Sequence, residues 1–158
     1  MSELTYRSGV PEDAVQMSGL ILSFRNSYLA APDGSGAEKF LASASIEAER
    51  SYLLSNRYDY LVAELDDELA GFLATRDHTH IFRLFVSPRH QGQGIARELW
   101  RRTLAGARDR GPSPNFTVNS SLPALSVYER FGFVKTAEPV TADGIVFVPM
   151  QYLPQSDS

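Results

Sequence analysis

The stretch from residue 60 to residue 107 constrains the fold more than any other part of the sequence. Three short runs of strand-forming residues, 60–65, 69–75 and 80–86, follow one another with turn-length gaps, which predicts an antiparallel meander. A loop with two glycines comes next. Apolar residues then recur at steps of three and four, which indicates a helix with one buried stripe. The sequence therefore places a glycine-containing loop directly between a strand and a helix.

The segments on either side predict a mixed α/β fold around one sheet, mostly antiparallel and flanked by helices. No linker divides the chain, so residues 1–154 are expected to form one domain, followed by a short C-terminal tail at 155–158. The buried side of the second helix is predicted to consist of Phe40, Leu41, Ile46, Leu53 and Leu54. The further predicted elements are strands at 4–8, 115–118, 133–136 and 145–152, and helices at 11–27, 37–55, 122–130 and from near Gly92–Gly94 to about Arg108.

The composition excludes several classes of site. The chain has no cysteine, so it has no disulfide, no thiolate nucleophile and no Cys-ligated metal centre. Its three histidines do not have the spacing of a zinc motif, so no metal site is predicted. No apolar stretch reaches about 18 residues, and the N-terminus lacks a signal-peptide pattern. These features predict a soluble cytoplasmic protein that does not bind membranes.

The charge is distributed unevenly along the chain. Residues 1–80 contain 6 basic and 13 acidic side chains, whereas residues 81–158 contain 9 basic and 6 acidic ones. Five of the basic residues are arginines between positions 83 and 102, where Glu98 is the one acid. A net charge of −4 argues against a nucleic-acid-binding protein, while the arginine cluster predicts a local anion site.

The loop after the third strand of the meander has the features of a pyrophosphate site. Glycines let main-chain N–H groups approach a ligand without a Cβ in the way, and a helix start adds unpaired N–H donors. The loop does not match a P-loop, because no lysine follows its glycines. It does not match the dinucleotide fingerprint either, because Arg97 stands where the third glycine is needed.

Two motifs together resemble the GNAT (Gcn5-related N-acetyltransferase) superfamily. The segment from Arg89 to Gly94 is similar to the family's acyl-CoA-binding pattern, [Q/R]-x-x-G-x-[G/A]. The segment 118–133 is similar to its second motif, with Val127 in place of the usual aromatic residue before the tyrosine. The resemblance implies the GNAT fold, and it also allows a homodimer. The matching positions of the second motif are Asn119, Ala124, Tyr128, Gly132 and Phe133.

The resemblance also implies acetyl-CoA as the cosubstrate. Its pantetheine arm would pair with the main chain of Leu84 and Val86, like an added strand. The oxyanion of the tetrahedral intermediate would be held by a main-chain N–H near Phe85 or Val86. Arg89, His90, Arg97 or Arg101 would meet phosphates, or would form a solvated helix face. The cofactor-binding residues implied in this way are Leu84, Phe85, Val86, Arg89, Gln91, Gly92, Gln93, Gly94, Ile95, Ala96, Asn119 and Tyr128.

Tyr128 matches the family's general acid, which protonates the departing thiolate. The amine must also lose a proton. Relatives with a base on the third strand place a Glu where this chain has His80, whose imidazole has a suitable pKa near 6.5. His78, Glu64 and a chain of water molecules are alternatives. The acceptor pocket is expected to include Phe24, Tyr28 and Phe82.

The predicted function is acetyl transfer from acetyl-CoA to a primary amine by direct attack in a ternary complex. The acceptor is a small-molecule or peptide amine, and its identity stays open between small amine, amino acid, aminoglycoside, polyamine, peptide N-terminus and protein lysine. The acidic first half favours a cationic amine. The alternatives are a longer acyl-CoA as donor, or a catalytically silent CoA-binding module that acts in regulation or interaction.

Overall fold

The computed structural model describes residues 3–111 and 114–154. The predicted tail at 155–158 lies outside these residues. Short 3-10 turns precede α1, α5 and α6, at Pro11–Asp13, Pro88–His90 and Leu122–Ala124. The strands are β1 Leu4–Ser8, β2 Tyr58–Leu65, β3 Glu68–Arg76, β4 His80–Val86, β5 Thr117–Ser120, β6 Phe133–Lys135, β7 Val140–Ala142 and β8 Ile145–Tyr152. The helices are α1 Ala14–Ser23, α2 Arg25–Tyr28, α3 Glu38–Ser43, α4 Ile46–Leu54, α5 Ile95–Arg110 and α6 Leu125–Phe131.

The strands form one sheet in the order β1-β2-β3-β4-β5-β8-β6, with β7 paired to β8 outside this path. Every strand pair is antiparallel except β4 with β5, which is parallel. This confirms the predicted fold class, a mixed and mostly antiparallel sheet with flanking helices. The sequence analysis did not predict β7, a three-residue strand that forms a hairpin with β8.

The predicted helix at 37–55 is wrong as a single element, because it is divided into α3 and α4. The break occurs at Ala44 and Ser45, where the Ser45 side chain caps the new helix by accepting a hydrogen bond from the Ala48 N–H at 3.2 Å. The break changes which residues face the sheet. Glu49 is completely buried, whereas Ile46 and Leu54, which were predicted to be buried, are 40% and 69% exposed.

Two other boundaries differ from the sequence prediction. The predicted helix at 11–27 is a 3-10 turn followed by α1 and α2, which are separated at Phe24. The Phe24 ring lies 5.6 Å from that of Phe85 on the sheet, and the backbone leaves the helical conformation where this contact forms. The strand predicted at 115–118 begins two residues later, as β5.

The sheet separates two apolar cores. On one face, α5 and α6 cover a cluster around Trp100, whose ring lies 4.9 to 5.7 Å from those of Phe116, Phe131, Phe133 and Tyr152. On the other face, α1 to α4 cover a cluster that contains Met17 and Phe72. Burying a large apolar side chain contributes roughly 1.5–3 kcal/mol, so these layers hold the helices on the sheet. None of the helices within 3–111 and 114–154 has the length and apolar character needed to cross a membrane.

Candidate active site

A cleft opens where β4 and β5 separate. The two strands pair only through His80 with Thr117 and Ile81 with Val118, while β4 continues to Val86. The Ser87 N–H donates to the Ala70 carbonyl of the β3 side at 2.8 Å. Main-chain groups alternate between the two sides of an antiparallel strand, so those of Leu84 and Val86 face the cleft. Of the two N–H groups predicted for the oxyanion, that of Val86 therefore faces the cleft, and that of Phe85 faces β3.

The cleft has a volume of about 1150 Å³ and two distinct ends. The phosphate end, as we call it, is formed by the glycine loop, α5 and α6. The acceptor end is formed by α2, α3, β8 and the aromatic side chains of β4.

The glycine loop forms an open cradle at the phosphate end. Gly92 and Gly94 have φ values of +82° and +77°, which residues with a Cβ adopt only with strain. No atom lies within 4 Å of where either Cβ would be, so the space above the main chain is free. Gly94 also precedes the first turn of α5, whose N–H groups are unpaired donors. The cradle fits a pyrophosphate.

Of the predicted loop residues, Gln91, Gly92, Gly94, Ile95 and Ala96 line the cleft. The Gln91 Nε2 donates to the Val86 carbonyl at 3.2 Å, and so covers an acceptor that faces the cleft. Gln93 lies outside the cleft lining and is exposed.

The predicted arginine cluster is divided between different surroundings. Arg97 and Arg101 line the cleft on the first turns of α5, and Arg130 of α6 lines it as well. Arg89 does not line the cleft and pairs instead with Glu68 at 3.2 Å on the surface. Glu98 pairs with Arg102 at 2.8 Å and with Arg101 at 2.5 Å. The local positive charge is therefore only partly available to a ligand.

Tyr128 and Asn119 both line the cleft, opposite β4. Tyr128 is 5% exposed, and its ring packs edge-on against Phe131 and Phe133. Burial raises the pKa of the Tyr128 hydroxyl above its ordinary value, so the group stays protonated and can donate. Asn119 lies near the end of β5 and is exposed to the cleft.

None of the three side chains predicted as the base lines the cleft. His80 lies where β4 still pairs with β5, and its Nδ1 is 2.8 Å from the Thr117 hydroxyl. Burial lowers the pKa of His80, which favours the neutral ring. His78 is exposed and lies 3.2 Å from the Asp59 carboxylate, while Glu64 accepts a hydrogen bond from Arg7 at 2.7 Å.

The acceptor end is lined with aromatic rings. Phe24, Tyr28 and Phe82 line it as predicted, together with Phe40 and Phe85. A strap over this end connects the loop after α2 to the start of β8. It is held by the Leu29–Ile145 bridge and by the Ala30 N–H, which donates to the Gly144 carbonyl at 2.8 Å.

Arg83 also lines the cleft. From the sequence it was one of the five clustered arginines that predict an anion site, with no role of its own. A bulge in β4 brings it there. Ala74 of β3 pairs with Arg83, and the next residue, Thr75, pairs with Ile81, so Phe82 is left without a partner on β3. Because of this extra residue, the side chains of both Phe82 and Arg83 turn towards α3 and α4. A charged residue within the apolar run from 80 to 86 is the one sequence signal that marks it.

Comparison with known proteins gives the family. The family model described as the acetyltransferase (GNAT) domain matches residues 28–154. The chain belongs to the GNAT acetyltransferase family. The match includes both motifs that carried the sequence resemblance, so that prediction is confirmed.

Curated relatives of this GNAT chain are mammalian N-acetyltransferases. It is 35% identical over 111 residues to N-acetyltransferase 8 of Mus musculus, covering 63% of the chain and 49% of that protein. It is 30% identical over 130 residues to N-acetyltransferase 8B of Rattus norvegicus, covering 72% of the chain and 59% of that protein. The chain spans about half the length of the curated relatives it matches.

Solved structures share the GNAT fold at lower sequence identity. A GCN5-related N-acetyltransferase from Rhodopseudomonas palustris matches with a TM-score of 0.77 and 21% identity over 96% of both chains. The PaiA N-acetyltransferase of Thermoplasma acidophilum, solved in complex with coenzyme A, matches with a TM-score of 0.71 and 17% identity over 95% of this chain and 98% of that one.

Proposed function

We propose that the chain is an N-acetyltransferase that moves the acetyl group of acetyl-CoA to a primary amine by direct attack in a ternary complex. The observation that carries this proposal is the cleft beside β4. It runs from an open glycine cradle, past main-chain groups without strand partners, to a buried tyrosine hydroxyl and an aromatic pocket. These are the parts that a thioester of a pyrophosphate-containing cofactor and an amine would each need.

Binding of the cosubstrate would use main-chain groups more than side chains. The pyrophosphate would accept hydrogen bonds from N–H groups between Gln91 and Ala96, assisted by the dipole of α5. The side chains of Arg97 and Arg101, on the first turns of α5, would add positive charge beside the pyrophosphate. The pantetheine amides would pair with Leu84 and Val86, where Gln91 now occupies the Val86 carbonyl. Asn119 would bind the same arm from the β5 side. The coenzyme A bound by the PaiA enzyme shows that this fold holds the molecule in a relative.

The reaction then needs a proton donor close to the sulfur of the thioester. The nitrogen of the deprotonated amine attacks the thioester carbonyl carbon, the carbon–sulfur bond breaks, and the sulfur takes up a proton from the Tyr128 hydroxyl. As the amide forms, the nitrogen loses a second proton to cleft water, and a proton from that water restores the Tyr128 hydroxyl. The Val86 N–H faces the cleft and would stabilise the oxygen that becomes negative during the attack. Burial raises the pKa of the Tyr128 hydroxyl, so the group is protonated at neutral pH and can donate a hydrogen bond to the sulfur as negative charge develops there.

The proton of the incoming ammonium would leave through cleft water. No Asp or Glu side chain of residues 3–111 and 114–154 lines the cleft, and His80 lies where the strands are still paired. His90 is the imidazole of the lining, and it belongs to the turn directly before the glycine loop, at the phosphate end. Water is therefore the alternative to a side-chain base that fits the acceptor end. The His80 role predicted from the sequence stays a prediction, as do the single domain at 1–154 and the cytoplasmic location.

The proposal is tested by thiol release from acetyl-CoA with a mixed panel of amines, read out by mass spectrometry of the acetylated product. We expect turnover with at least one amine. Acetyl-CoA binding without turnover on any amine would instead favour the silent CoA-binding module. Propionyl-CoA and longer acyl-CoA donors in the same assay decide whether acetyl is the preferred group.

A further inference from the structure

We propose that the acceptor is an amine that also carries a carboxylate on an apolar body, and that Arg83 binds this carboxylate. The inference rests on the proposed acetyl transfer and names the substrate class of the same cleft. An α-amino acid with a large apolar side chain, or a compound of the same chemistry, is the simplest such acceptor.

Arg83 is built into the acceptor end with one side of its guanidinium group left free. The residue is 6% exposed and lines the cleft. Its Nε and Nη2 both donate to Glu49 Oε1 at 3.2 Å, and Nη2 also reaches the Ser43 carbonyl at 3.4 Å. Its Nη1 has no hydrogen-bond partner among the described residues.

The unpaired Nη1 keeps contact with the cleft. Within the described part of the chain, His90 Nδ1 is the one side-chain polar atom that is both fully buried and without a partner. Nη1 of Arg83 is therefore not completely buried, and Arg83 is part of the cleft lining. It can donate to a ligand without first losing a protein partner.

The guanidinium plane is held rigidly. Glu49 is completely buried, and its second oxygen accepts a hydrogen bond from the Tyr60 hydroxyl at 2.7 Å. The guanidinium carbon lies 4.1 Å from the centre of the Phe82 ring and 5.6 Å from that of Phe40. A side chain fixed by an ion pair and two rings loses little conformational entropy when it binds a ligand, which favours directional recognition of a carboxylate.

The lining of the cleft selects against a cationic acceptor. Its charged side chains are Arg83, Arg97, Arg101 and Arg130, and no acidic side chain of the described residues lines it with them. Arg83 and Arg101 are paired from behind the lining, with Glu49 and Glu98, so the unpaired charge of the described lining is that of Arg97 and Arg130. The acidic first half of the sequence favoured a cationic amine, but none of its described acidic side chains lines the cleft, and three of them are held in buried or half-buried ion pairs. Arg7 pairs with two of them, Asp13 at 2.9 Å and Glu64 at 2.7 Å, and Glu49 is held by Arg83 and Tyr60.

The aromatic rings at the acceptor end favour an acceptor whose body, apart from its amine and carboxylate, is apolar. Phe24, Phe40 and Phe85 offer apolar surface, and the Tyr28 hydroxyl already donates to the Ile21 carbonyl at 2.9 Å. A polar acceptor body would lose water here without gaining partners. A ligand with one anionic group, one amine and an apolar remainder matches what the walls provide.

The first test uses the wild-type protein and needs no variant. Amino acids with apolar side chains, such as phenylalanine and leucine, are compared with their carboxamides as acceptors at saturating acetyl-CoA. Because the carboxamides have the lower amine pKa, kcat/KM is taken from pH profiles and expressed per deprotonated amine. We expect the acids to be preferred by about 10- to 100-fold, the range of a hydrogen bond to a charged group. Equal rates, or a preference for the amides, would overturn the inference while leaving acetyl transfer intact. If no amine is acetylated, the proposed function itself fails and this inference with it.

The second test assigns the preference to Arg83. We expect Arg83→Gln and Arg83→Lys to lower kcat/KM for the acids towards that for the amides, through KM, with an unchanged dissociation constant for acetyl-CoA. Arg76→Gln is the matched control, because Arg76 also approaches the Phe82 ring, at 5.8 Å, but does not line the cleft. A preference that survives in folded Arg83→Lys, or that is lost equally in Arg76→Gln, would contradict the assignment.

Discussion

The two ends of the cleft are built in different ways. At the phosphate end, the ligand-facing groups are main-chain N–H groups whose positions are set by Gly92, Gly94 and the start of α5. At the acceptor end they are side chains, and the central one, Arg83, is held by a partner 34 residues earlier in the sequence. The main-chain donors of the phosphate end come from one short stretch of sequence, whereas the acceptor end is assembled from four separate elements.

This difference determines how each end responds to mutation. Main-chain donors cannot be removed by exchanging a side chain, so the phosphate end is vulnerable chiefly where a glycine conformation is lost or the space is filled. Side chains at the acceptor end can be exchanged singly, which would alter specificity without affecting the cosubstrate. The two ends should therefore separate cleanly in binding and kinetic measurements.

The largest effect is expected from Gly92→Asp. The substitution forces a residue with a Cβ into a φ of +82° and places a carboxylate where the pyrophosphate would lie, so like charges meet. We expect acetyl-CoA affinity, measured by calorimetry, to fall by at least about 100-fold, which corresponds to roughly 2.7 kcal/mol. Gly36→Asp is the matched control, because Gly36 has a φ of +83° and equally open surroundings in a different loop. Equal losses in both variants, or none in Gly92→Asp, would refute the cradle.

Tyr128→Phe should affect turnover rather than binding. Removing the hydroxyl leaves the ring packed on Phe131 and Phe133 but removes the proton donor for the sulfur. We expect kcat to fall by about 100-fold or more, within the usual range for a general acid, with acetyl-CoA affinity within about twofold of wild type. Tyr152→Phe, which alters a second buried tyrosine of the same core, should leave kcat unchanged. Weaker binding with normal kcat would remove Tyr128 from the acid role.

The same contrast explains what the sequence could and could not predict. The segment from Leu84 to Ala96 carries its ligand-facing pattern in consecutive residues, and nine of these thirteen residues line the cleft. Arg83 was given no role of its own, because its orientation depends on the bulge opposite Ala74 and on its pairing with Glu49. The single helix predicted across 37–55 did not identify Glu49 as a buried residue. Long-range side-chain pairs of this kind leave no periodic signal.

The arginines offer a finer comparison within the phosphate end. Arg97 lines the cleft and is exposed, whereas Arg89 pairs with Glu68 outside it. We expect Arg97→Gln to weaken acetyl-CoA binding by about 3- to 10-fold at low salt and less at high salt, because exposed charges are screened. Arg89→Gln should leave the affinity within about twofold. The opposite order would return Arg89 to the role that the sequence motif predicted for it.

The pH profile of a His80 variant distinguishes His80 as the general base from proton loss through water. If the proton leaves through water, kcat/KM should rise with pH until the acceptor amine is itself deprotonated, with the same profile in His80→Ala. If His80 is the base, that variant should lose the acidic limb of the profile. His78→Ala, at an exposed turn beside Asp59, is the control.

The smallest expected effect concerns stability at acid pH. Burial lowers the pKa of His80 in the folded chain, so between that pKa and about 6.5 the unfolded chain binds a proton that the folded chain does not. The free energy of unfolding should therefore fall as the pH drops through this window, and His80→Gln should reduce the fall by under about 1 kcal/mol. Urea titrations at pH 7.5 and 5.5 measure the difference. An unchanged or larger fall in His80→Gln would mean that the imidazole is not held in its neutral form beside Thr117.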